Sequence, residues 1–349
     1  MPRPASRPLC GTSPRARYWL QTDCCGWACA TLTWALLAYG WYVTVVWVIV
    51  PWRGAWSGHA AAFSLVTALA VWSHLRAMLT NPGAVPEGAL PVDGYTTPPP
   101  PRCSRCATFK PPHAHHCSVC QRCIVRMDHH CPWINNCVGL ATAKFFILFC
   151  VYTCAMSTYA LALVAVKLVS CAGVRRGGPP ADFFPPPPAH CLAPYNVTST
   201  IVTALLCAEA LLFGLFTACM LCDQYTSVRT GNTQLDDYKN SRAKQPARPR
   251  FGTLRENLAL VFGESRWRVW WLIPVDPVWK RLDRVLEFVV PARDPDALVP
   301  GDARGADAPL LAAVASASAS ASAPSASPES ADGDVEAGRR AAPVEEHCA

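Results

Sequence analysis

Seven cysteines and five histidines fall within the 35 residues from Cys103 to Cys137. That density commits the stretch to metal or to disulfides before any fold is considered. It reads Cys103-x2-Cys106, then His116-Cys117-x2-Cys120-x2-Cys123, then Asp128-His129-His130-Cys131-Pro132-Trp133, and it closes on Cys137. A tetrahedral zinc site takes four cysteine or histidine ligands. Two sites of three cysteines and one histidine consume six of the seven thiols and leave one over. A spare thiol beside a histidine and a carboxylate is a candidate nucleophile.

The rest of the chain decides where such a module sits. With 51% hydrophobic and 16% charged residues over 349 positions, the composition excludes an ordinary soluble enzyme. Four stretches are long and apolar enough to span a bilayer as helices: Gly26–Val50, Ala60–Leu79, Phe145–Ser170 and Ser199–Cys222. In the second, which is Ala-rich, His74 and Arg76 stand near one end, where long polar side chains snorkel to the interface; a buried or interfacial helix is the alternative reading for that stretch. The expected fold class is therefore an α-helical multi-pass membrane protein, with the two-zinc cysteine-rich module, residues 80–144, between helices two and three. The expected organisation is completed by a tail over 1–25, a loop over 171–198, a C-terminal domain over 223–300 and a disordered Ala/Ser/Pro/Gly-rich tail over 301–349.

Arginines at 3, 7, 15 and 17 precede the first apolar run, and Lys and Arg crowd the segment from Asp223 to Lys280. Both ends are thus expected on the cytosolic side, with the zinc module between them. The first run is longer than a signal-peptide core and closes on no small-residue cleavage motif. The formal charge of +7 reads as membrane orientation, and no motif points to nucleic acid. In a reducing compartment the module's cysteines hold metal and not disulfides. Cys171 and Cys191 fall on the opposite side, where pairing is permitted, and Asn196-Val197-Thr198 is a glycosylation sequon abutting helix four. Trp267, Trp270, Trp271 and Trp279 suggest that the C-terminal domain packs at headgroup level.

Asp128-His129-His130-Cys131, with the Cys/His array before it and Pro132-Trp133-Ile134-Asn135-Asn136-Cys137-Val138-Gly139 after it, resembles the signature of the DHHC protein S-acyltransferases. These are membrane enzymes that palmitoylate cysteines of cytosolic proteins. The resemblance implies one zinc on Cys103, Cys106, His116 and Cys123 and another on Cys117, Cys120, His130 and Cys137. Spacing alone leaves other pairings open, with His113 and His115 as alternative ligands. Eight ligands close both shells, so both zinc ions are expected to be structural. The resemblance also makes Cys131 the nucleophile, His129 its base and Asp128 the group that orients the imidazole. The implied co-substrate is acyl-CoA, the partners are the bilayer and proteins bearing reactive cysteines, and the location is an endomembrane (Golgi or ER) or the plasma membrane.

Helix three begins about a dozen residues past Cys131, which places the thiol at the mouth of the bundle. Phe146, Phe149, Thr153 and Met156 share one helical face and are candidates for the acyl-cavity wall. Lys110, Arg122 and Arg126 are candidates for the coenzyme A phosphates. Glu209, in the middle of helix four, is expected to face the bundle interior. Elsewhere the pattern departs from the family. Asn81-Pro82-Gly83 stands for Asp-Pro-Gly, Thr233-Gln234-Leu235-Asp236 for Thr-Thr-x-Glu, and Thr142 for an asparagine, while Asn257 and Val261-Phe262-Gly263 agree. Thr233 is expected to hydrogen-bond near the active site. A membrane-anchored RING-type ligase or a catalytically silent scaffold is the competing reading; the Asp128, His129 and Cys131 set argues against both.

Overall fold

The protein is described by a computed structural model covering residues 18–54, 57–92, 101–175, 197–242, 252–264, 268–280, 285, 286, 288 and 289. Among the described residues, four helices are long and apolar enough to cross a membrane. The first, α1 (Cys24–Tyr42), continues through a π-helical stretch (Val43–Ile49) into a last turn (Val50–Arg53). The others are α2 (Gly58–Leu79), α3 (Ala143–Arg175) and α4 (Val197–Thr230). Polar caps set the starts. The Asp23 carboxylate accepts from the Gly26 N–H at 2.7 Å, and the Ser57 hydroxyl accepts from the Ala60 N–H at 3.3 Å. Pro51 has no N–H to offer the Trp47 carbonyl four residues back, and Lys167 Nζ donates to that carbonyl at 3.1 Å.

Helix α3 is central, packed against both α2 and α4. Its Phe145, Phe146, Phe149 and Met156 join Leu37, Phe63 and Leu206 of the other spans in the main apolar core. The outer face of α4, including Ile201, Leu205, Leu211 and Leu215, is exposed, as a lipid-facing surface is. Helix α4 also runs past its apolar stretch to Thr230, so its last two turns stand beside the metal module.

The module, between α2 and α3, is two small antiparallel pairs. Strands β1 (Ala114–Cys117) and β2 (Arg122–Val125) pair with His116 opposite Cys123. Strands β3 (His129–Cys131) and β4 (Asn136–Val138) pair with His130 opposite Cys137. The tight return from β3 to β4 places Asn135 at φ 47°, a left-handed conformation that asparagine tolerates.

The module is bolted to the helices by backbone capping. Asn136 Nδ2 donates to the Ala77 and Thr80 carbonyls at the end of α2, at 2.9 and 2.8 Å. Asn135 Nδ2 reaches the Gln21 carbonyl at 3.0 Å, and a Cβ on Gly26 would run into the Asn135 side chain, so only glycine lets α1 sit there. Likewise a Cβ on Gly139 would lie 2.5 Å from the Pro82 carbonyl. The family departures fit. Asn81 Oδ1 accepts from the Gly83 and Ala84 N–H groups at 3.1 and 2.9 Å, the work an aspartate does in such a turn. Thr142 Oγ1 donates to the Cys137 carbonyl at 2.7 Å and accepts from the Gly139 N–H at 3.0 Å.

Two expectations are corrected. His74 does not snorkel: it is fully buried, accepts from Trp34 Nε1 at 3.0 Å through Nδ1 and so donates through Nε2 to the Trp133 carbonyl at 2.9 Å. Those two partners lie inside the bundle, which makes the interior its polar environment. Trp279 does not lie at headgroup level either. It is buried with Val85, Phe109, Val125 and Leu140 of the module, its indole N–H bonded to the Leu260 carbonyl at 2.8 Å. The C-terminal segment, with α5 (Gln234–Arg242), α6 (Leu254–Phe262) and α7 (Val269–Leu272), therefore shares its core with the module. Trp270 is exposed, and Trp267 lies outside the described residues, as do Cys191 and Asn196. Cys171, in the last turns of α3, is disulfide-bonded.

Candidate active site and its metal clusters

Two four-residue clusters form within the module: Cys103, Cys106, His116 and Cys123, and Cys117, Cys120, His130 and Cys137. In the first, His116 Nδ1 lies 3.6 and 3.1 Å from the Cys103 and Cys106 sulfurs. In the second, His130 Nδ1 lies 3.7, 3.5 and 3.5 Å from those of Cys117, Cys120 and Cys137. Zinc–sulfur and zinc–nitrogen bonds at tetrahedral angles put such atoms about 3.6 Å apart. The thiols are also crowded in a way a cation resolves: hydrogen bonding from Cys123 holds Cys106 at about 5 while Cys123 itself is pushed far up. The donor sets fit two structural zinc ions, and the clusters interleave along the chain. His113 and His115 are not ligands but face Asp236.

Strand geometry separates the remaining residues. Successive side chains alternate across a strand, so His130 turns to the second cluster while His129 and Cys131 turn the other way. Both line a cavity of about 260 Å³ that runs between the helices. Phe146, Phe149, Thr153 and Met156 of α3 also line it, as their shared face suggests. Helix α1 adds Thr33, Leu36 and Gly40, and α4 adds Phe213, Met220 and Glu209. Glu209 stands near Met156 and Gly40, since a Cβ on Gly40 would lie 3.0 Å from Met156 Cε and 3.9 Å from the Glu209 carboxylate.

Asp128 is held by three donors. His129 Nδ1 donates to its Oδ2 at 3.0 Å, Gln224 Nε2 to Oδ2 at 2.8 Å, and the Gln234 backbone N–H to Oδ1 at 2.8 Å. Burial alone raises a carboxyl, but these bonds and the imidazole keep Asp128 below its ordinary value. Burial likewise opposes charge on His129, yet its hydrogen bonds with Asp128 and Cys131 raise it to about 9. The ring also meets Phe146 edge-on at 5.4 Å. The arrangement is an acid, an imidazole and a thiol in series, opening on a largely apolar cavity.

Thr233 does not touch Asp128. Its hydroxyl donates to Asp236 Oδ2 at 3.0 Å and accepts from the Asp236 N–H at 3.2 Å, capping α5. That cap aims the next N–H, of Gln234, at Asp128. Asp236 in turn accepts from His115 Nε2 at 2.6 Å, while Lys239 Nζ donates to His115 Nδ1 at 2.7 Å. Burial works against that carboxylate, but His113 and His115 hold it well below the usual range. The three cations are placed apart from the cavity lining. Arg126 donates to the Gly231 carbonyl at 2.7 Å, Arg122 to the Gln121 carbonyl at 2.9 Å, and Lys110 lies within electrostatic range of Lys239.

Gln224 was not singled out in the sequence, although a signal exists. Leu206, Ala210, Phe213, Thr217 and Met220 repeat at alternating spacings of four and three and all line the cavity; Gln224 is the next position of that stripe.

The DHHC palmitoyltransferase family model matches residues 97–241, and the chain is 36% identical to palmitoyltransferase ZDHHC7 of Mus musculus over 262 residues, 73% of this chain and 80% of the relative. The chain belongs to the DHHC palmitoyltransferase family. Palmitoyltransferase ZDHHC3 of Rattus norvegicus is 37% identical over 72% of this chain and 81% of its own length. Probable protein S-acyltransferase 12 of Arabidopsis thaliana is 28% identical over 64% of this chain and 76% of its own. The family match begins just before the metal module and ends inside α5, so it takes in α3 and α4 as well as the cysteine array.

Proposed function

We propose that the chain moves a long-chain acyl group, palmitoyl in the first instance, from acyl-CoA to cysteines of proteins at the cytosolic face, through an S-acyl intermediate on Cys131. The observation that carries this reading is the opening of Cys131 and His129 onto the apolar cavity while their neighbour His130 faces a metal cluster. In the first step His129 takes the Cys131 proton, and the sulfur attacks the thioester carbonyl of acyl-CoA. The carbon–sulfur bond to coenzyme A breaks as the new one forms, and the departing thiolate takes the proton. In the second step a substrate cysteine gives its proton to His129 and attacks the acyl carbon, returning Cys131 as thiol. Thioester exchange is nearly balanced in energy, so positioning and a poised thiolate supply the rate.

Asp128 keeps Nδ1 protonated and Nε2 turned to Cys131, by the hydrogen bonds above. The cavity shelters the chain, at about 0.8 kcal/mol per buried CH2. Lys110, Arg122 and Arg126 remain the proposed phosphate contacts of coenzyme A, outside that cavity. Zinc, when bound, folds the module; it takes no part at the carbonyl. A cytosolic location for the module, α1's start and α4's end is supported by the even number of spans and by the disulfide at Cys171 near the opposite end of α3, since disulfides persist on the oxidising side. The membrane is proposed to be Golgi, ER or plasma membrane.

The test is to incubate the purified protein with labelled palmitoyl-CoA. The parent should carry a hydroxylamine-labile thioester, and Cys131→Ser should lose it. Undiminished label on the serine variant would assign the chemistry to another thiol.

A further inference from the structure

Three thiols at the start of α1 belong to neither metal cluster. Cys24 and Cys25 are exposed and Cys29 is half-buried. Cys25 and Cys29 stand one helical turn apart on one face of α1, and Cys131 is among the groups whose charge bears on Cys29. Helical spacing puts Cys29 on the same face as Thr33 and Leu36, which line the cavity that Cys131 opens into. This end of α1 is fixed against the catalytic turn. It packs on Pro132–Ile134, the residues directly after Cys131, with Asn135 wedged over Gly26 and bonded to the Gln21 carbonyl at 3.0 Å. A thiol thus stands on the face of α1 that lines the cavity further along, at the end of the helix that packs on the residues following Cys131, with a second, exposed thiol one turn nearer the helix start.

We propose that Cys29, continuing to Cys25, is an internal S-acyl acceptor. The inference rests on the reading that Cys131 is acylated. Cys29 passes its proton to His129, and its sulfur bonds to the acyl carbonyl carbon of S-acyl-Cys131. The bond from that carbon to the Cys131 sulfur then breaks, and the released thiolate takes the proton back from His129. No reactant beyond acyl-CoA is required. Fixed neighbouring thiols react as one molecule and not two, which favours exchange between them over encounter with an outside acceptor. A second exchange of the same kind moves the chain to Cys25. At that exposed position, where α1 begins, the chain can leave the cavity and enter lipid. The enzyme would then carry its own acyl group on its first span, with Cys131 free to reload.

Trypsin separates the two thiols. Cutting after Lys and Arg gives Tyr18–Arg53, with Cys24, Cys25 and Cys29, and Met127–Lys144, with Cys131 and the metal-cluster residue Cys137. The full-length protein in detergent, loaded with labelled palmitoyl-CoA, should show hydroxylamine-labile label on both peptides. Cys29→Ser should lower label on Tyr18–Arg53 by at least about tenfold and leave Met127–Lys144 labelled, which also shows that the variant is folded. Cys131→Ser should remove label from both. Label confined to Met127–Lys144 in the parent overturns this inference and leaves the acyl-Cys131 reading standing. Label persisting on Tyr18–Arg53 in Cys131→Ser also overturns it, because the α1 thiols then react with acyl-CoA directly. Absence of label from Met127–Lys144 in the parent overturns the acyl-Cys131 reading itself.

Discussion

The first metal cluster takes Cys103 and Cys106 from a turn and His116 and Cys123 from the β1–β2 pair, whereas the second takes His130 and Cys137 from the strand pair that also carries His129 and Cys131. Their donor sets are identical and their surroundings are not. Around the first lie Val85, Phe109, Trp279, Leu286 and Phe288, a small apolar core built partly from the C-terminal segment. Around the second lie Trp19, Ile124 and Met127, and its histidine is flanked in sequence by the imidazole and thiol of the proposed active site. A metal ion can hold a fold from a distance or pin the very strand that reacts. The two clusters are placed to do one each.

Breaking the clusters in turn tests that difference. Cys137→Ser removes the cross-strand partner of His130. It should cost about one of two zinc ions and lower acyl-enzyme formation by more than about a hundredfold, since the strand loses its anchor. Cys106→Ala should cost the other ion and solubility together, with activity lost in proportion to folded protein. Metal analysis beside single-turnover labelling decides between them; equal specific activity of the folded fractions would erase the distinction. A smaller effect is expected at α5. Gln234 touches Asp128 through its backbone N–H only, and proline is tolerated at the first helical position. Gln234→Pro should slow thioester formation about tenfold or more, the worth of one hydrogen bond to a charged group, while Gln234→Ala should be near parent. A slow alanine variant would show that the side chain matters instead. The smallest expected effect is on selectivity alone. Met156 lies roughly 16 Å along α3 from Phe145 at 1.5 Å per residue. Met156→Trp should shorten the preferred acyl chain and Met156→Ala lengthen it, read by competition across acyl-CoA lengths. Unchanged profiles in both would move the cavity's limit to another helix.

Much of this was readable in the chain because its constraints are local. Cysteine spacing states the ligand count, apolar length states the spans, and alternating spacings of three and four state which face of α3 lines the cavity. What could not be read is set by distant contacts. His74 looked like an interfacial residue because hydropathy carries no information about the carbonyl of Trp133, 59 residues away. Trp279 looked like a headgroup anchor because a tryptophan-rich run does not say which member enters a core. Thr233 was expected to hydrogen-bond near the active site; its bonds form the cap with Asp236, and the contact to Asp128 is made by the following N–H. Substituting Gln for Thr at position 234 is harmless to a contact made by the backbone, which explains how the chain departs from its family's motif and keeps the geometry.

The central claim is that alternation along β3 assigns two adjacent histidines to different tasks. His129→Ala, assayed for zinc per chain and for thioester formation on the same preparation, tests it most directly. The account predicts about two zinc ions, as four ligands remain at each cluster, together with thioester formation slowed by more than about a hundredfold, the usual worth of a positioned base. Loss of a zinc ion, or labelling at the parent rate with both ions in place, would contradict it.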